Sequence, residues 1–192
     1  MATSSLNYFH FHLYLTLIIS IYFTTITSTH AAFSEQSYIT LPSDSEKVTH
    51  LRFYYHDIRN ENNPTVVQIV DAPKNTPNGF GCVLVMDDAL TEEPDWSSKQ
   101  VGRAQGIFAQ ASLQDLGLAM LTNFVFTEGK YAGSTISMLG RNAISEKIRE
   151  MPIVGGTGVF RFARGFAIGF SVHSVSTPQH YVVGYNVTIS HP

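Results

Sequence analysis

The sequence predicts an all-β fold, an eight-stranded antiparallel β-barrel with a central ligand pocket. Segments in which apolar and polar residues alternate recur about eight times, as expected for half-buried strands. The stretches between them are rich in Gly, Pro, Asn and Asp, which favour turns. Only "RNAISEKIRE", which precedes Pro152, has helical propensity. With about eight strands, closure into a barrel removes the exposed edges, and a two-sheet sandwich is the alternative.

The first strand segment places a carboxylate at the end of an apolar face. In chain order the segments are 48–58, 65–72, 81–87, 101–111, 118–128, 133–140, 158–172 and 181–190. In "VTHLRFYYHDI" one face carries Leu51, Phe53, Tyr55 and Asp57. Burying a carboxylate without a partner is costly, so we expect either a partner or a wet cavity beside Asp57.

The segment 158–172 has two very different faces. One face is bulky and carries Phe160, Phe162, Phe166, Ile168 and Phe170. The other is nearly bare and carries Ala163, Gly165, Ala167, Gly169 and Ser171. Small residues turned inward leave a lumen, and the bulky face then lies outside, where another subunit covers it. The alternative is that the Phe face fills the core, but Gly and Ala are poor choices for an exposed strand face.

A polar connection leads into this bare-faced segment. "LGRNAISEKIREMPIVGGTG" contains Arg141, Asn142, Arg149 and Glu150, and we expect it at the barrel rim. It is either a solvated linker whose charges balance internally, or a rim segment from which an Arg or Asn reaches over the lumen toward Asp57. In the second case a cation beside the carboxylate compensates its burial.

Composition and motifs exclude several classes of function. The formal net charge is −3 and no basic stripe occurs, which argues against nucleic acid and anionic membranes as partners. Cys82 is the single cysteine, so the chain forms no intramolecular disulfide, and we expect a small buried apolar residue there. The run "DDALTEEPDW" indicates a solvated loop, and "VGGTGVF" indicates a tight turn. The histidines lack metal-ligand spacing, so no metal site is predicted.

The N-terminal region reads as a secretory signal. An apolar stretch, "LYLTLIISIYFTTI", is followed by the small-residue sequence "TSTHAAF", which predicts a signal peptide over 1–31. A flexible arm over 32–47 and one domain over 48–192 follow, and we expect a secreted, extracellular protein without stable membrane insertion. Asn186 opens "NVT", a glycosylation sequon inside a predicted strand.

Four stretches resemble the hallmark sequences of plant dirigent proteins. They are "RFYYHDI", "VGRAQG", "FVFTEGKYAGSTISMLGRN" and "REMPIVGGTGVFRFARGFA", in order and at the family's spacing across nearly all of the predicted domain. The resemblance implies an eight-stranded barrel, a homotrimer and secretion to the plant apoplast or cell wall. It also implies a pocket that binds small phenolic substrates without a cofactor.

The resemblance implies specific site residues as well. Asp57 matches the family's strand-one aspartate and Arg149 its rim arginine, while Tyr55 and Phe108 match pocket aromatics. Asn142 stands where lignan-forming members carry a second aspartate. His173, at the end of the bare face, is a candidate acid or base that completes the predicted catalytic set. The other predicted substrate-pocket residues are Phe53, Gln110 and Ser171.

Departures from the lignan-forming pattern resemble the legume branch of the family that includes pterocarpan synthase, an isoflavanol dehydratase. Asn142 replaces an aspartate, and the cysteines that bracket the barrel in lignan-forming members are missing. The implied reaction is loss of a benzylic hydroxyl, formation of a quinone methide and ring closure by a pendant phenol. Asp57 is the predicted general acid, Arg149 holds a phenolate or quinone methide oxygen, and Tyr55 orients a ring hydroxyl or relays a proton.

Two other functions stay open at this stage. The first is a non-enzymatic guide that captures radicals made by an external laccase or peroxidase and sets the handedness of monolignol coupling, as with coniferyl alcohol in lignan biosynthesis. The second is a structural or defence-related barrel that only binds phenols. An isoflavanol dehydratase differs from both because it turns over a closed-shell substrate alone.

Overall fold

The computed structural model of the protein describes residues 46–60 and 62–192. The predicted signal peptide and all but the last two residues of the predicted arm lie outside them, and Lys47 already belongs to the first strand. The strands are β1 (Lys47–Ile58), β2 (Val66–Val70), β3 (Val83–Thr91), β4 (Gln100–Gln110), β5 (Gly117–Phe126), β6 (Thr135–Ala143), β7 (Arg149–Thr157), β8 (Arg164–Ser171) and β9 (His180–His191). Single 3₁₀ turns cover Pro77–Gly79, Gly129–Tyr131 and Gly158–Phe160. Within the described ranges, no helix has the length and apolar character needed to cross a membrane.

The nine strands form one antiparallel sheet that closes on itself through a ladder between β1 and β3. Near its end β3 pairs with β1, where Leu90 is opposite Tyr55. Near its start β3 pairs with β2, where Val85 is opposite Val67. β1 and β2 therefore share one position in the ring, so the nine strands make eight positions. The predicted eight-stranded antiparallel barrel is confirmed, and its closure removes the open edge.

β7 is a strand that the sequence pattern does not reveal. Pro152 cannot donate a ladder hydrogen bond, and the glycines after it give the stretch the composition of a connection. In the structure a register shift interrupts the β6–β7 pairing. Gly140 leaves room for the proline ring, since a Cβ at this position would lie 2.8 Å from Pro152 Cδ. Asn142 and Arg149, predicted in a rim connection, thus lie in strands β6 and β7.

The predicted strand 158–172 is interrupted before β8 begins. A 3₁₀ turn ends at Phe160, and Phe162 has a φ of 62°, in the left-handed region. This break shifts the alternation, so that Phe160 turns inward. It is fully buried, with its ring centroid 5.8 Å from that of Phe126 and 4.9 Å from that of Tyr131. The prediction that Phe160 faces outward is therefore wrong.

Within β8 the predicted faces are confirmed. Ala167 and Gly169 are buried, whereas Phe166 on the opposite face is 41% exposed. A Cβ on Gly169 would lie 3.2 Å from the ring of Tyr185 and 3.3 Å from the terminal methyl of Met151. The bare face of β8 therefore lines the barrel interior, where the missing side chain of Gly169 makes room for Tyr185 and Met151.

Aromatic side chains fill the interior at the other end of the barrel. The ring centroid of Phe53 lies 4.9 Å from that of Phe124, 5.9 Å from that of Tyr185 and 6.1 Å from that of Phe126. Burying one such side chain stabilises the fold by about 1.5–3 kcal/mol. The filled end supports the barrel, and a cavity lies toward the opposite end.

Two residues noted in the sequence lie away from this interior. Cys82 is a free thiol that is half-buried just before β3, rather than fully buried as expected. Asn186 lies in β9 with an exposed side chain, so the sequon is accessible and its occupancy stays a prediction.

The two phenylalanines around the break should differ sharply in their contribution to stability. Phe160→Ala empties a fully buried position, and we expect the free energy of unfolding to fall by about 3–5 kcal/mol. Phe162→Ala removes a ring that is 57% exposed, and we expect a change within about 0.5 kcal/mol. Urea unfolding of both variants measures the difference, and equal losses would contradict the inward position of Phe160.

Candidate functional site

A cavity of about 540 Å³ opens at the end of the barrel where β1, β4, β6 and β8 end and β5, β7 and β9 begin. It is lined by the predicted catalytic residues Asp57, Arg149, Tyr55 and His173. It is also lined by three predicted substrate-pocket residues, Phe108, Asn142 and Ser171. Closure of the barrel thus brings these seven predicted residues together from five strands and the β8–β9 loop.

Two predicted pocket residues do not line this cavity. Phe53 belongs to the aromatic layer of the core. It lies two residues before Tyr55 on β1 and is therefore farther from the end of the barrel where the cavity opens. Gln110 turns to the β4–β5 connection, where its Nε2 donates to the carbonyl oxygens of Ser112 at 3.0 Å and Asp115 at 2.7 Å. Its amide therefore holds a turn and does not face the cavity. Both were wrong as pocket residues.

The partner of Asp57 is Arg59, which the sequence analysis missed. The Nε and Nη2 atoms of Arg59 donate to the two carboxylate oxygens of Asp57 at 2.9 and 2.8 Å. These hydrogen bonds raise the pKa of Arg59, although burial acts in the opposite direction and lowers it. The guanidinium also lies over the ring of Tyr181, 5.2 Å from its centroid. The expectation of a partner from the rim segment is corrected: residues two apart on an extended chain share a face, so Arg59 reaches Asp57 directly.

Arg149 is a buried cation that pairs with no carboxylate among residues 46–60 and 62–192. Its side chain points into the cavity from the start of β7, and the residue is 5% exposed. Nη1 donates to Ser171 Oγ at 3.0 Å, whereas buried Nε has no partner among the described residues. Burial lowers the pKa of Arg149, and the nearby Tyr185 opposes this effect. The cavity is therefore lined by a guanidinium that no described carboxylate neutralises, which favours an anionic oxygen as ligand.

Asn142 lines the same cavity, and its side-chain amide is incompletely hydrogen-bonded. Its Nδ2 donates to the sulfur of Met120 at 2.9 Å, and its buried Oδ1 accepts no hydrogen bond from the described residues. A sulfur is a weak acceptor, so the amide is poorly satisfied without a ligand.

Asp88 is the second inward carboxyl group, and the sequence analysis missed it as well. The sequence assigned it to a solvated loop, but β3 includes it and it is fully buried. Thr65 donates a hydrogen bond to Oδ1. Burial raises the pKa of Asp88 to about 7, although hydrogen bonds from Thr65 and Tyr55 oppose this shift. The alternation of Leu84, Met86 and Leu90 around Asp88 was the signal that could have revealed it.

His173, His56 and His180 lie at the rim and on the outer side of the barrel. His173 is exposed at the cavity mouth. His56 lies on the outer side of β1, with Nδ1 2.9 Å from His180 Nε2 and Nε2 2.7 Å from Thr91 Oγ1. Burial, then the neighbouring His180, lowers the pKa of His56 to about 4. No cluster of three His, Cys, Asp or Glu that could hold a metal ion occurs in residues 46–60 and 62–192.

Comparison with known protein sequences finds a family match and related proteins. A family model described as "Dirigent-like protein" matches residues 48–190. Dirigent protein 21 of Arabidopsis thaliana is 49% identical over 148 residues, which cover 76% of this chain and 78% of that protein. Pterocarpan synthase 1 of Glycine max is 42% identical over 183 residues, which cover 91% of this chain and 95% of that protein.

Comparison with solved structures agrees with the sequence matches. The structure of the pterocarpan synthase dirigent protein GePTS1 matches with a TM-score of 0.71 and 43% sequence identity. The match covers 79% of this chain and 89% of that one. Fold and sequence are therefore similar to the same group of proteins.

The pairing of Asp57 with Arg59 should be visible in stability measurements. Arg59→Leu leaves the Asp57 carboxylate, in a residue 6% exposed, without its cation. We expect the free energy of unfolding to fall by about 1–3 kcal/mol, and the added change Asp57→Asn should recover most of this loss because no charge then needs a partner. Arg161→Leu, at an exposed arginine, is the control and should change stability by less than about 0.5 kcal/mol. An equal loss in the single and double variants of the pair would contradict this assignment.

Proposed function

The chain belongs to the dirigent-like protein family, and from that membership we propose that it is a dehydratase of the pterocarpan synthase type. Its substrate is a hydroxyisoflavanol, from which water leaves to form a quinone methide that a pendant phenol then closes into a ring. The observation that carries this proposal is a cavity at the end of the barrel in which the carboxylate Asp57 occurs together with Arg149, a cation without an ion-pair partner among the described residues. A volume of about 540 Å³ suits one small polycyclic phenol.

Arg149 holds the oxygen on which negative charge develops. Loss of the benzylic hydroxyl is assisted when the ring hydroxyl of the substrate becomes a phenolate, which then becomes the quinone methide oxygen. The guanidinium of Arg149, which lines the cavity, supplies a charge-assisted hydrogen bond to this oxygen. Asn142, which lines the same cavity, contacts another part of the substrate and helps to fix the ring.

Asp57 acts as a proton acceptor in this proposal. Both of its oxygens accept hydrogen bonds from Arg59, which is the arrangement of a carboxylate and not of a carboxylic acid. A carboxylate near the substrate takes the proton of the pendant phenol as this phenol adds to the quinone methide. The role of general acid, expected for Asp57 from the sequence, is therefore proposed for Tyr55, which lines the cavity and carries a hydroxyl proton.

We further propose that the protein is secreted to the plant apoplast, works without a cofactor and assembles as a homotrimer. An exposed apolar row crosses four neighbouring strands through paired positions, and we call Val85, Ile107, Leu121 and Leu139 the apolar row. Contact with other copies of the chain removes this row from water. The outer face of β8 is less suitable, because Glu150 and Asn186 flank Ile168 there.

The reaction is tested with purified protein and two substrate mixtures. We expect a hydroxyisoflavanol without oxidant to give a ring-closed product of one handedness, read by chiral chromatography. Asp57→Asn should keep ligand affinity while the single-turnover rate falls roughly a hundredfold or more. Arg149→Leu should weaken both binding and rate, with a rate loss of about 2–4 kcal/mol.

The second mixture and a matched variant serve as controls. Coniferyl alcohol with an external oxidant tests the alternative of a non-enzymatic guide. Relatives named dirigent proteins, at 49% and 50% identity, are the reason for this test. Handedness only in that mixture, with no conversion of the isoflavanol, would overturn the dehydratase. Arg141→Leu, an exposed arginine paired with Asp115 outside the cavity, should retain the parental rate.

Assembly is tested at the apolar row. Leu121→Glu places a charge in the middle of the row and should convert the trimer into monomer or aggregate, as measured by light scattering after gel filtration. Phe166→Glu on β8 is the matched control and should leave the trimer intact. An unmodified protein that runs as a soluble monomer would remove the proposal.

A further inference from the structure

Asp88 has no role in the proposed dehydration, although it lies beside the cavity residue Tyr55. It faces inward from β3, next to the ladder with β1, and is fully buried. Its Oδ2 has no hydrogen-bond partner among the described residues. No described Lys or Arg forms an ion pair with it, whereas Asp57 has Arg59. A buried carboxylate in this position lacks both a cation and a full set of donors.

The carboxylic acid form resolves this deficit. A proton on Oδ2 gives a hydroxyl group that can donate. Tyr55 is a diagonal neighbour of Asp88 on the inner face, because Tyr55 pairs with Leu90, which lies two residues after Asp88 on β3. The Tyr55 hydroxyl in turn donates to the sulfur of Met86, 3.3 Å away. Because sulfur is a weak acceptor, this last hydrogen bond is easily exchanged for one to a substrate hydroxyl in the cavity that Tyr55 lines.

We infer that Asp88 is the proton reservoir of the site and acts through Tyr55 on the leaving hydroxyl of the substrate. As the benzylic C–O bond breaks, the Tyr55 proton passes to the departing oxygen, which leaves as water, and the Asp88 proton passes to Tyr55. Tyr55 is the residue that contacts substrate, and Asp88 is a positioning residue behind it. This inference rests on the proposed dehydration.

The protons balance over the whole reaction. The ring hydroxyl loses one proton when the quinone methide forms, and the pendant phenol loses one to Asp57 when it adds. One of these returns to the ring oxygen, and the other restores Asp88 through solvent. The net change is therefore the loss of one water molecule, and no oxidant or reductant takes part.

The surroundings of Asp88 agree with a proton-carrying role near neutral pH. Burial raises its pKa to about 7. The groups that influence it come from three elements: Tyr55 and Asp57 on β1, Thr65 before β2 and Arg103 on β4. Asp57 supports the raised pKa, while hydrogen bonds from Thr65 and Tyr55 and the charge of Arg103 oppose it. Because Asp88 must be protonated to act, the rate should fall as pH rises through about 7.

The first test compares Asp88→Asn with Asp87→Asn in single-turnover assays on a hydroxyisoflavanol. Asp87 is the adjacent residue, lies outside the barrel and pairs with Arg103, so its variant should keep the parental rate. Asp88→Asn should lose roughly tenfold to a hundredfold in rate with unchanged product affinity. Tyr55→Phe should lose at least as much, and the double variant should lose no more than Tyr55→Phe alone, because both residues act in one relay. Losses that multiply in the double variant would overturn the relay.

The second test follows the rate from about pH 5.5 to about pH 8.5. The unmodified protein should lose rate toward high pH, and Asp88→Asn should lose this pH dependence. A fall in rate toward high pH that persists in Asp88→Asn belongs to another group and overturns the inference. If Asp88→Asn fails to fold, the unmodified protein still decides, since a rate independent of pH would equally overturn it.

A third measurement is independent of turnover. A carboxyl group with a raised pKa binds its proton more tightly in the folded than in the unfolded chain, so its contribution to stability falls as pH rises from about 4 to about 7. The stability of the unmodified protein relative to Asp88→Asn should therefore decline over this range, and a constant difference would contradict the protonated state. No turnover of any isoflavanol overturns the proposed function together with the relay, whereas normal turnover with multiplicative losses overturns the relay alone.

Discussion

The short ladder between β1 and β3 is the interaction on which the rest of the structure depends. Three paired positions close the barrel, with Tyr55 opposite Leu90 at their centre. Inside, this ladder presents Tyr55 to the cavity between two carboxyl groups. Outside, His56 is covered by Trp96 and His180. The positions that close the fold are therefore the same positions that build the site, so a substitution there affects stability and chemistry together.

Closure also explains why two inward-facing aspartates have different surroundings. Asp57 lies at the open end of β1, where the chain turns outward and Arg59 folds back onto it. Asp88 lies deeper, between Thr65 and Tyr55, where no arginine side chain forms an ion pair with it in the described part of the chain. Burial with a cation favours a proton acceptor, and burial without one favours a proton donor. One barrel thus separates the two roles by depth alone.

The alternation of residues was sufficient to predict the barrel and the bare face of β8. It also predicted that Asp57 needs a partner or a wet cavity. It failed where a local feature cancels the pattern. β7 was missed because Pro152 and its glycines have the composition of a connection, and only the facing Gly140 shows how the ring fits. Phe160 was misplaced because Phe162 adopts a left-handed φ, which its residue type does not suggest. Asp88 was missed because a run of acids around it resembled a loop, although the apolar alternation continues through it.

The long ladder between β1 and β9 bears on how the protein is made. Every residue of Lys47–Ile58 pairs with a residue of His180–His191, so the first strand of the domain has no main partner until the last strand has left the ribosome. Pairings so distant in sequence form slowly, and apolar side chains such as Phe53 are exposed in the meantime. The strands that carry Asn142 and Arg149 are therefore complete before the ladder between β1 and β9 can form. Tyr55 and Asp57 on β1 are held in place last. The cavity exists only once translation of the domain is finished, and a nascent chain cannot bind a phenol before then.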